Sequence, residues 1–515
     1  MPQQHARGAC GTAAAATGPP DIWLPELLQL LAGSLPPTEV ACVLRLTSRA
    51  AAAQFRGPLH TTIRLSHPVP HREFAWRWGR PGAMRGLSQS RRRQLPCLTA
   101  RSGSLANLEV LLAGGDRGMV LQDRVYDAAA AAGQLEVCRW LHLQGCPRGA
   151  GALLGAARGG HQAVCEWLLA SGCALDRRAA GEAAGGGHVG LMQGLLRADP
   201  SPDVPALARG VAEGCELHTL QRLHDTLLDS VGAELALEDR GLVVAATAAS
   251  PTPDWRAKVE WLAARGYPRS DLACQAAARR PDGAARLGWL RQQGYGLTPA
   301  VAEEAAGAGN VGALELALAA GVVLDAAAAR RAARRAAEGG HLAALRVLLR
   351  AGGPSALRCA APAAAEQGHL GAVEWLLGAL GATEVLTAGV FAAAARSGSV
   401  ELLAWLRARG CPWSARVFAA AAEGGSEEQL EWLAEAGCPM GADDEPYVRA
   451  LINRDLAMLR CLKRLGCPLP ACLLRLAVVF FGTRAISSAG GVLCWLLAAG
   501  CSVAEVRRQP QQWLL

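Results

Sequence analysis

Residues 410–440 read GCPWSARVFAAAAEGGSEEQLEWLAEAGCPM, a stretch that begins and nearly ends on Gly-Cys-Pro. Between the two copies lie an alanine run, a glycine pair and a Trp-Leu dipeptide. The segment after the glycine pair spaces its apolar residues by three and four, which predicts a helix with one buried face. Glycine ends a helix at low cost because it adopts the left-handed conformation readily. The stretch therefore predicts two short helices, each closed by glycine.

The same pattern recurs along most of the chain. Trp-Leu with a glycine five residues after the tryptophan marks seven copies, and neighbouring copies lie 27 to 30 residues apart. Trp375 begins a further copy, with its glycine one residue late, and degraded copies fill the gaps. We therefore predict an all-α solenoid of about 14 helix pairs over residues 98–505. The seven tryptophans are Trp140, Trp167, Trp261, Trp289, Trp405, Trp432 and Trp495.

The recurring residues are best explained by packing. We predict that each tryptophan is buried between units, because a large ring adds apolar area to a stack made mainly of alanine. Six cysteines follow the closing glycine and are predicted to be small buried residues, since no Cys-x-x-Cys pair typical of zinc sites occurs. Four histidines after the inter-helix glycines are predicted to cap backbone carbonyls. The cysteines are Cys146, Cys173, Cys411, Cys438, Cys467 and Cys501, and the histidines are His161, His188, His341 and His369.

The sequence contains no catalytic or cofactor-binding motif in the structural context that such a motif requires. Two Gly-x-Gly-x-x-Gly matches, at 185–190 and 307–312, lie between the two helices of a unit, whereas a dinucleotide site needs a preceding strand. No uninterrupted apolar segment is long enough for a membrane span. We therefore predict no enzymatic activity, cofactor, metal or membrane association. An intracellular, reducing location in cytoplasm or nucleus is expected, and residues 1–20, which are alanine-rich and lack acids, leave an organellar transit peptide open.

Three copies resemble the ankyrin repeat family: GAARGGHQAVCEWLLASGC (155–173), AAEGGHLAALRVLLRAGG (336–353) and AAAEQGHLGAVEWLLGALG (363–381). The resemblance covers about four fifths of the chain. The family's Thr-Pro-Leu-His opening is missing and the unit is shorter than the usual 33 residues. The resemblance implies stacked helix pairs with reduced β-hairpin fingers, and a concave face that binds a protein partner.

Residues that vary near the inter-helix glycines are the candidate contacts of that concave face. The positions just before these glycines carry mixed charge where the buried positions repeat. We expect them to lie near the edge of the groove. The candidates are Arg158, Glu338, Gln367, Arg396 and Glu423.

Residues 21–59 have no repeat register and resemble an F-box, the helical module that docks a Skp-type adaptor of cullin ubiquitin ligases. The segment 21–55 reads DIWLPELLQLLAGSLPPTEVACVLRLTSRAAAAQF. Thr47, Ser48 and the following alanines depart from the family pattern. The alternative is a helical cap on the open end of the array. Residues that the resemblance assigns to adaptor binding are Leu24, Pro25, Leu27, Leu28, Leu31, Leu35 and Pro36.

Residues 60–97 form an arginine-, proline- and tryptophan-rich connection between that module and the array. The first 100 residues hold 12 arginines and 4 acidic residues, so the net charge of +8 resides there. Trp76 and Trp78 between arginines could contact nucleic acid, but a connection packed on the first repeats is the favoured interpretation. Residues 1–20 are predicted to be disordered and 506–515 to be a C-terminal tail.

Two functions of different class follow. One is a substrate receptor, in which the array holds an unknown client protein and residues 21–59 hold a ligase adaptor. The other is a plain binding scaffold whose N-terminal helices only cap the array. Nucleic-acid binding through residues 60–96 is a third, less favoured alternative.

Overall fold

The computed structural model describes residues 25–114, 120–199, 201–229, 235–441, 444–470, 472–481 and 486–501. Within these ranges the chain is helical and contains no strand. The predicted disordered segment 1–20, the predicted tail 506–515 and the candidate residue Leu24 lie outside them. No helix in the described part has the length and apolar character needed to cross a bilayer.

The predicted helical-repeat solenoid is confirmed, and the described residues form fourteen helix pairs, numbered here as units 1–14. Unit 1 begins at Gln89, nine residues before the predicted start of the array. Its first helix, Gln89–Arg101, includes the arginines at 91–93, which were predicted to lie in the connecting segment. Units 1–7 are 89–101/105–114, 123–131/135–143, 151–158/162–170, 179–185/189–198, 204–214/217–223, 237–248/255–264 and 272–278/283–292. Units 8–14 are 299–307/311–319, 326–338/342–352, 360–366/370–380, 388–397/400–408, 415–424/427–435, 445–452/456–464 and 473–481/486–498.

The two helices of a unit differ in side-chain size. In unit 9 all six buried residues of the first helix are alanines, whereas the second helix buries Leu345, Val347 and Leu348. Neighbouring first helices consequently contact one another more extensively than neighbouring second helices do. Each unit is therefore a wedge with its thin edge on the first helix, and stacking such wedges curves the array.

The prediction that the repeat tryptophans are fully buried is wrong. Trp432 and its seven counterparts are half-buried at the margin of the core, while the leucine after each tryptophan is buried. Leu433, for example, is 0% exposed. A helix buries only the stripe that faces its neighbours, and the tryptophan falls at the border of that stripe. The leucine fills the core, and the indole covers its edge.

The closing glycines have the predicted role, and five of the six repeat cysteines are buried as predicted, whereas Cys173 is only partly buried. The closing Gly410 and Gly437 adopt positive φ of 75° and 79°. Cys411, fully buried, donates its thiol to the Thr387 carbonyl at the start of the same unit, 3.4 Å away. Cys146 does the same with the Gln122 carbonyl, also at 3.4 Å. The cysteine thus joins the end of a unit to its beginning.

The histidines join one unit to the next. The His369 ring nitrogen Nε2 lies 3.0 Å from the Glu338 carbonyl of the preceding unit, as predicted for a histidine that caps a carbonyl. Its ring also lies over Gly340, where a Cβ would come within 3.0 Å of the imidazole. His161, His188 and His341 lie over the corresponding glycines of their preceding units. Glycine is needed there both for positive φ and for room beneath the ring.

The N-terminal helices form a module with its own small core. Its helices are 25–34, 37–39, a π-helical turn at 40–44, 45–47, 49–54 and 58–61. Leu28, Val40, Leu44, Ala51 and Phe55 are buried against one another, in a cluster separate from the core of the array.

The helix His71–Trp78 and its flanks cover the outer end of unit 1. Phe74 packs with Leu95 and Leu111 of unit 1 in a third cluster. Asn107 of unit 1 donates to the Val69 carbonyl at 2.9 Å. The basic connecting segment is therefore folded onto the first repeat, as the favoured interpretation expected.

The array curves until unit 1 meets units 11 to 13. Arg92 in the first helix of unit 1 pairs with Asp455 of unit 13, 363 residues away along the chain. The first helices of units 1 and 12 also contact each other. Units 1 to 12 therefore form a closed loop of stacked helix pairs.

Candidate binding surfaces

The predicted groove residues lie along the first helices. Three of the five, Arg158, Arg396 and Glu423, form ion pairs across units, and of these only Arg396 and Glu423 pair with each other. Arg158 of unit 3 contacts Glu182 of unit 4 at 3.2 Å and Glu213 of unit 5 at 2.5 Å. Arg396 of unit 11 contacts Glu366 of unit 10 at 3.1 Å and Glu423 of unit 12 at 3.9 Å. We call these ion pairs, with their equivalents below, the charge ladder.

The charge ladder continues in the units that sequence reasoning missed. Glu304 of unit 8 accepts from Arg279 of unit 7 and from Arg335 of unit 9, both at 2.6 Å. Glu423 is also 3.6 Å from Arg449 of unit 13. The missed residues occupy the slot of Arg158 or lie one helical turn before it, so the repeat register was the signal that could have identified them.

The remaining two groove candidates do not bridge units through their side chains. Glu338 pairs with Arg334 of its own helix at 2.8 Å. Gln367 is exposed beside the inter-helix turn.

The ladder is accessible and individually weak. The side chains of Arg158, Glu182 and Glu213 are 48%, 36% and 37% exposed. Exposed ion pairs contribute at most about 1 kcal/mol each because water screens them. A ligand with complementary charges can therefore replace the ion-pair partners within the ladder, and the array loses little stability when it does.

The first helix of the N-terminal module has both buried and exposed leucines. Leu28 is 0% exposed and Leu35 packs beside it, so these two candidates belong to the core of the module. Leu27 and Leu31 of the same helix are 44% and 48% exposed, together with Leu30 at 72%. Among the residues that the structure describes, none covers the exposed leucine side of this helix fully.

The other adaptor candidates flank that exposed face. Pro25 begins the helix Pro25–Ser34, and Pro36 is exposed immediately before the next helix at Pro37. Additional exposed apolar residues of the module are Val43, Leu46, Leu59 and Ile63. These were not among the predicted adaptor contacts, although their sequence, like that of Leu30, is plainly apolar.

The arginines of the connecting segment are largely engaged within the molecule. Arg85, Arg92 and Arg93 contact units 12 and 13. The Arg77 guanidinium lies 4.3 Å from the Trp78 ring, and that of Arg80 lies 4.8 Å from the Trp76 ring. Trp76 is 64% exposed and is the part of this segment most open to a ligand.

Three of the repeat cysteines, Cys146, Cys411 and Cys438, have the properties of buried thiols. Burial raises the pKa of Cys146 to about 12, and the pKa values of Cys411 and Cys438 to about 11. A thiol with such a pKa is neither a nucleophile nor a metal ligand near pH 7. In the described part of the chain, no three His, Cys, Asp or Glu side chains are grouped so that they could hold a metal ion.

Comparison with known proteins gives structural similarity only. No protein-family model and no curated protein sequence matches this chain. The chain is similar to the crystal structure of the pentatricopeptide repeat protein PPR10 from maize, at 13% identity and a TM-score of 0.22, over 93% of this chain and 92% of that one. It is also similar to PPR10 in complex with an 18-nt psaJ RNA element, at 13% identity and a TM-score of 0.27, over 93% and 87% of the two chains. At these TM-scores the similarity carries no argument about function.

Proposed function

We propose that this protein is a binding scaffold in which the N-terminal module docks a Skp-type adaptor of a cullin ubiquitin ligase while the repeat array holds a client protein. The observation that carries this proposal is the exposed leucine face of the module, Leu27, Leu30 and Leu31, above a separate core. Exposure of an apolar face of this kind to water is unfavourable in free energy. Burial of the face against a partner removes that penalty.

The separate core also favours docking over capping. A cap would bury its apolar face on unit 1, but Phe74 of the connecting segment packs there with Leu95 and Leu111. The module is thereby left free to bind a second protein without disturbing the stack. The ladder would offer the client a row of alternating charge along the first helices.

Adaptor capture tests this proposal. In full-length protein, Leu27→Asp combined with Leu31→Asp should abolish co-purification with a Skp-type adaptor, because two unpaired charges would enter the apolar interface. Leu28 is avoided since it is 0% exposed, and a charge there would unfold the module. The matched control is Leu143→Asp, at a leucine of unit 2 that is 83% exposed.

The control should bind the adaptor as the wild type does, and circular dichroism should show equal helicity in all three proteins. Failure of the wild type to bind any Skp-type adaptor would end the ligase proposal. Equal loss in the control and the double variant would show that the interface is elsewhere.

A second candidate function is binding of single-stranded RNA by the connecting segment. The observation that favours it is Trp76, exposed beside the Arg80 guanidinium, since an open aromatic ring next to a cation can stack a base. Fluorescence anisotropy with labelled oligouridine should then show salt-dependent binding that Trp76→Ala weakens about tenfold. Arg139→Ser, on unit 2, is the control that should bind as the wild type does. Equal affinity for the wild type and Trp76→Ala would exclude this site.

A further inference from the structure

The contact that closes the array is centred on one buried ion pair. Arg92 donates to the two carboxylate oxygens of Asp455 at 3.0 and 2.6 Å. The side chains are only 7% and 6% exposed. Asp455 also accepts from the Met458 amide at 3.1 Å and so caps the second helix of unit 13. The same carboxylate therefore caps the second helix of unit 13 and binds Arg92 of unit 1.

Backbone contacts surround the pair. The Gln89 amide donates to the Gly425 carbonyl at 3.2 Å, and the Glu428 amide donates to the Arg85 carbonyl at 3.3 Å. Arg85 and Gln89 lie before and at the start of unit 1, and Gly425 and Glu428 lie in the turn and the second helix of unit 12. Such contacts fix the register in which residues 85–93 lie on units 12 and 13.

Two glycines make the approach possible. A Cβ at Gly398, in the turn of unit 11, would come within 2.6 Å of the Ser88 Cβ. A Cβ at Gly86 would come within 2.7 Å of a Glu428 carboxylate oxygen. At Gly398 the Ser88 backbone is also in the way, so a larger residue there would hold the two sides apart, whereas at Gly86 the Glu428 side chain would have to move.

The outer part of the contact is ionic and more accessible. Arg85, whose side chain is 38% exposed, contacts Glu431 and lies 3.8 Å from Glu427. Arg464 of unit 13 reaches the same two carboxylates at 2.5 and 3.4 Å. Water and salt screen pairs of this kind, so they hold the two sides together weakly.

Like charges oppose the closure. Burial lowers the pKa of Arg93, and the neighbouring guanidinium of Arg124 lowers it further, as do Arg92 and Arg454, while Asp455 acts in the opposite direction. Arg93 donates to the Asn453 carbonyl in this setting. Closure therefore concentrates positive charge at a polar contact, unlike the apolar contacts that hold successive units together.

We propose that residues 85–93 and their seat on units 11–13 form a releasable clasp, which keeps the array closed and opens while the fourteen units stay stacked. The clasp couples unit 1 to units 12 and 13 as if they were neighbours in sequence. In an open solenoid each unit contacts only the adjacent ones, so its ends are independent of each other. This inference does not depend on which partner the array binds.

Hydrogen exchange of the full-length protein tests the clasp. Arg92→Met keeps an unbranched apolar stem and the cap at Asp455 but removes the guanidinium and with it the ion pair. Amides of residues 85–93, 424–429 and 453–458 should then exchange at least about tenfold faster, while those of units 5–8 are unchanged. Small-angle scattering should show a larger radius of gyration. The control is Arg139→Met, which removes an exposed pair with Glu136 on unit 2.

An unchanged exchange rate at 424–429 and 453–458 in Arg92→Met would overturn the proposal, because units 1 and 13 would then be independent. If Arg92→Met fails to fold, Arg85→Ser decides, since that residue touches unit 12 at the accessible margin. It should accelerate exchange at 424–431 by a smaller factor, and no acceleration there would equally overturn the clasp. An increase in mass to a dimer on opening would also overturn it as a device within one chain, because residues 85–93 would then occupy the seat of a second copy.

Discussion

Gly210→Ala is expected to unfold the array locally around units 4 and 5, at a cost of about 3 kcal/mol or more. Gly210 is buried in the first helix of unit 5, and a Cβ there would overlap the carbonyl oxygen of Gly181 in unit 4. The obstacle is backbone, which cannot rotate away as a side chain can. Thermal denaturation followed by circular dichroism, with hydrogen exchange over residues 179–223, measures the effect.

Gly194→Ala is the matched control. This glycine also lies inside a helix, Val189–Ala198 of unit 4, but a Cβ there would meet nothing within 4 Å. Alanine is the better helix former, so the control should be more stable by up to about 1 kcal/mol. Equal stability of the two variants would mean that the first helices of units 4 and 5 are farther apart than the structure places them.

Leu433→Ala is expected to destabilise unit 12 by about 2–5 kcal/mol, more than Trp432→Ala at the adjacent position. Leu433 is 0% exposed, so its loss leaves a cavity in the core. Trp432 is half-buried at the margin of that core, and removing its ring should cost about 1–2 kcal/mol. The order is the reverse of what residue size alone would give.

The consequences of both changes should remain near unit 12. Hydrogen exchange should accelerate over residues 400–460 and, through the contact with unit 12, over residues 85–93, and stay unchanged around residue 200, since stability in an array is transmitted between neighbours. A larger effect from Trp432→Ala than from Leu433→Ala would restore the prediction that the tryptophan is buried between units. Both variants should be compared with Leu143→Asp, whose exposed position makes it a neutral reference.

The repeat and its helices could be read from the sequence because their causes are local. Glycine at 410 and 437 ends helices through its own backbone freedom, and leucines spaced by three and four define a buried stripe wherever they occur. Burial was predicted correctly for five of the six repeat cysteines, and carbonyl capping for His369. The degree of burial of Trp432 has no local cause. It depends on how much of the helix surface the neighbouring units cover.

The candidate binding surfaces were predicted in part. Sequence placed Arg158, Arg396 and Glu423 on one face, but only the stacking of units revealed that they pair with Glu182, Glu366 and Arg449. In the N-terminal module the leucine run was evident, yet its division into buried Leu28 and exposed Leu27 and Leu31 required the three-dimensional structure of the module. The sequence pattern predicts which residues share one face of a helix. What that face contacts depends on the tertiary structure.

By itself the sequence determined an all-helical array of about fourteen units, because that number follows from a period and a length. Only the tertiary structure decided that the array closes and that Arg92 meets Asp455. Each wedge-shaped unit adds a small rotation to the one before it, and closure depends on the sum over a dozen units. The sum of these rotations cannot be recognised in any local sequence pattern. The contact between two residues 363 positions apart was therefore not predictable from the sequence around either of them.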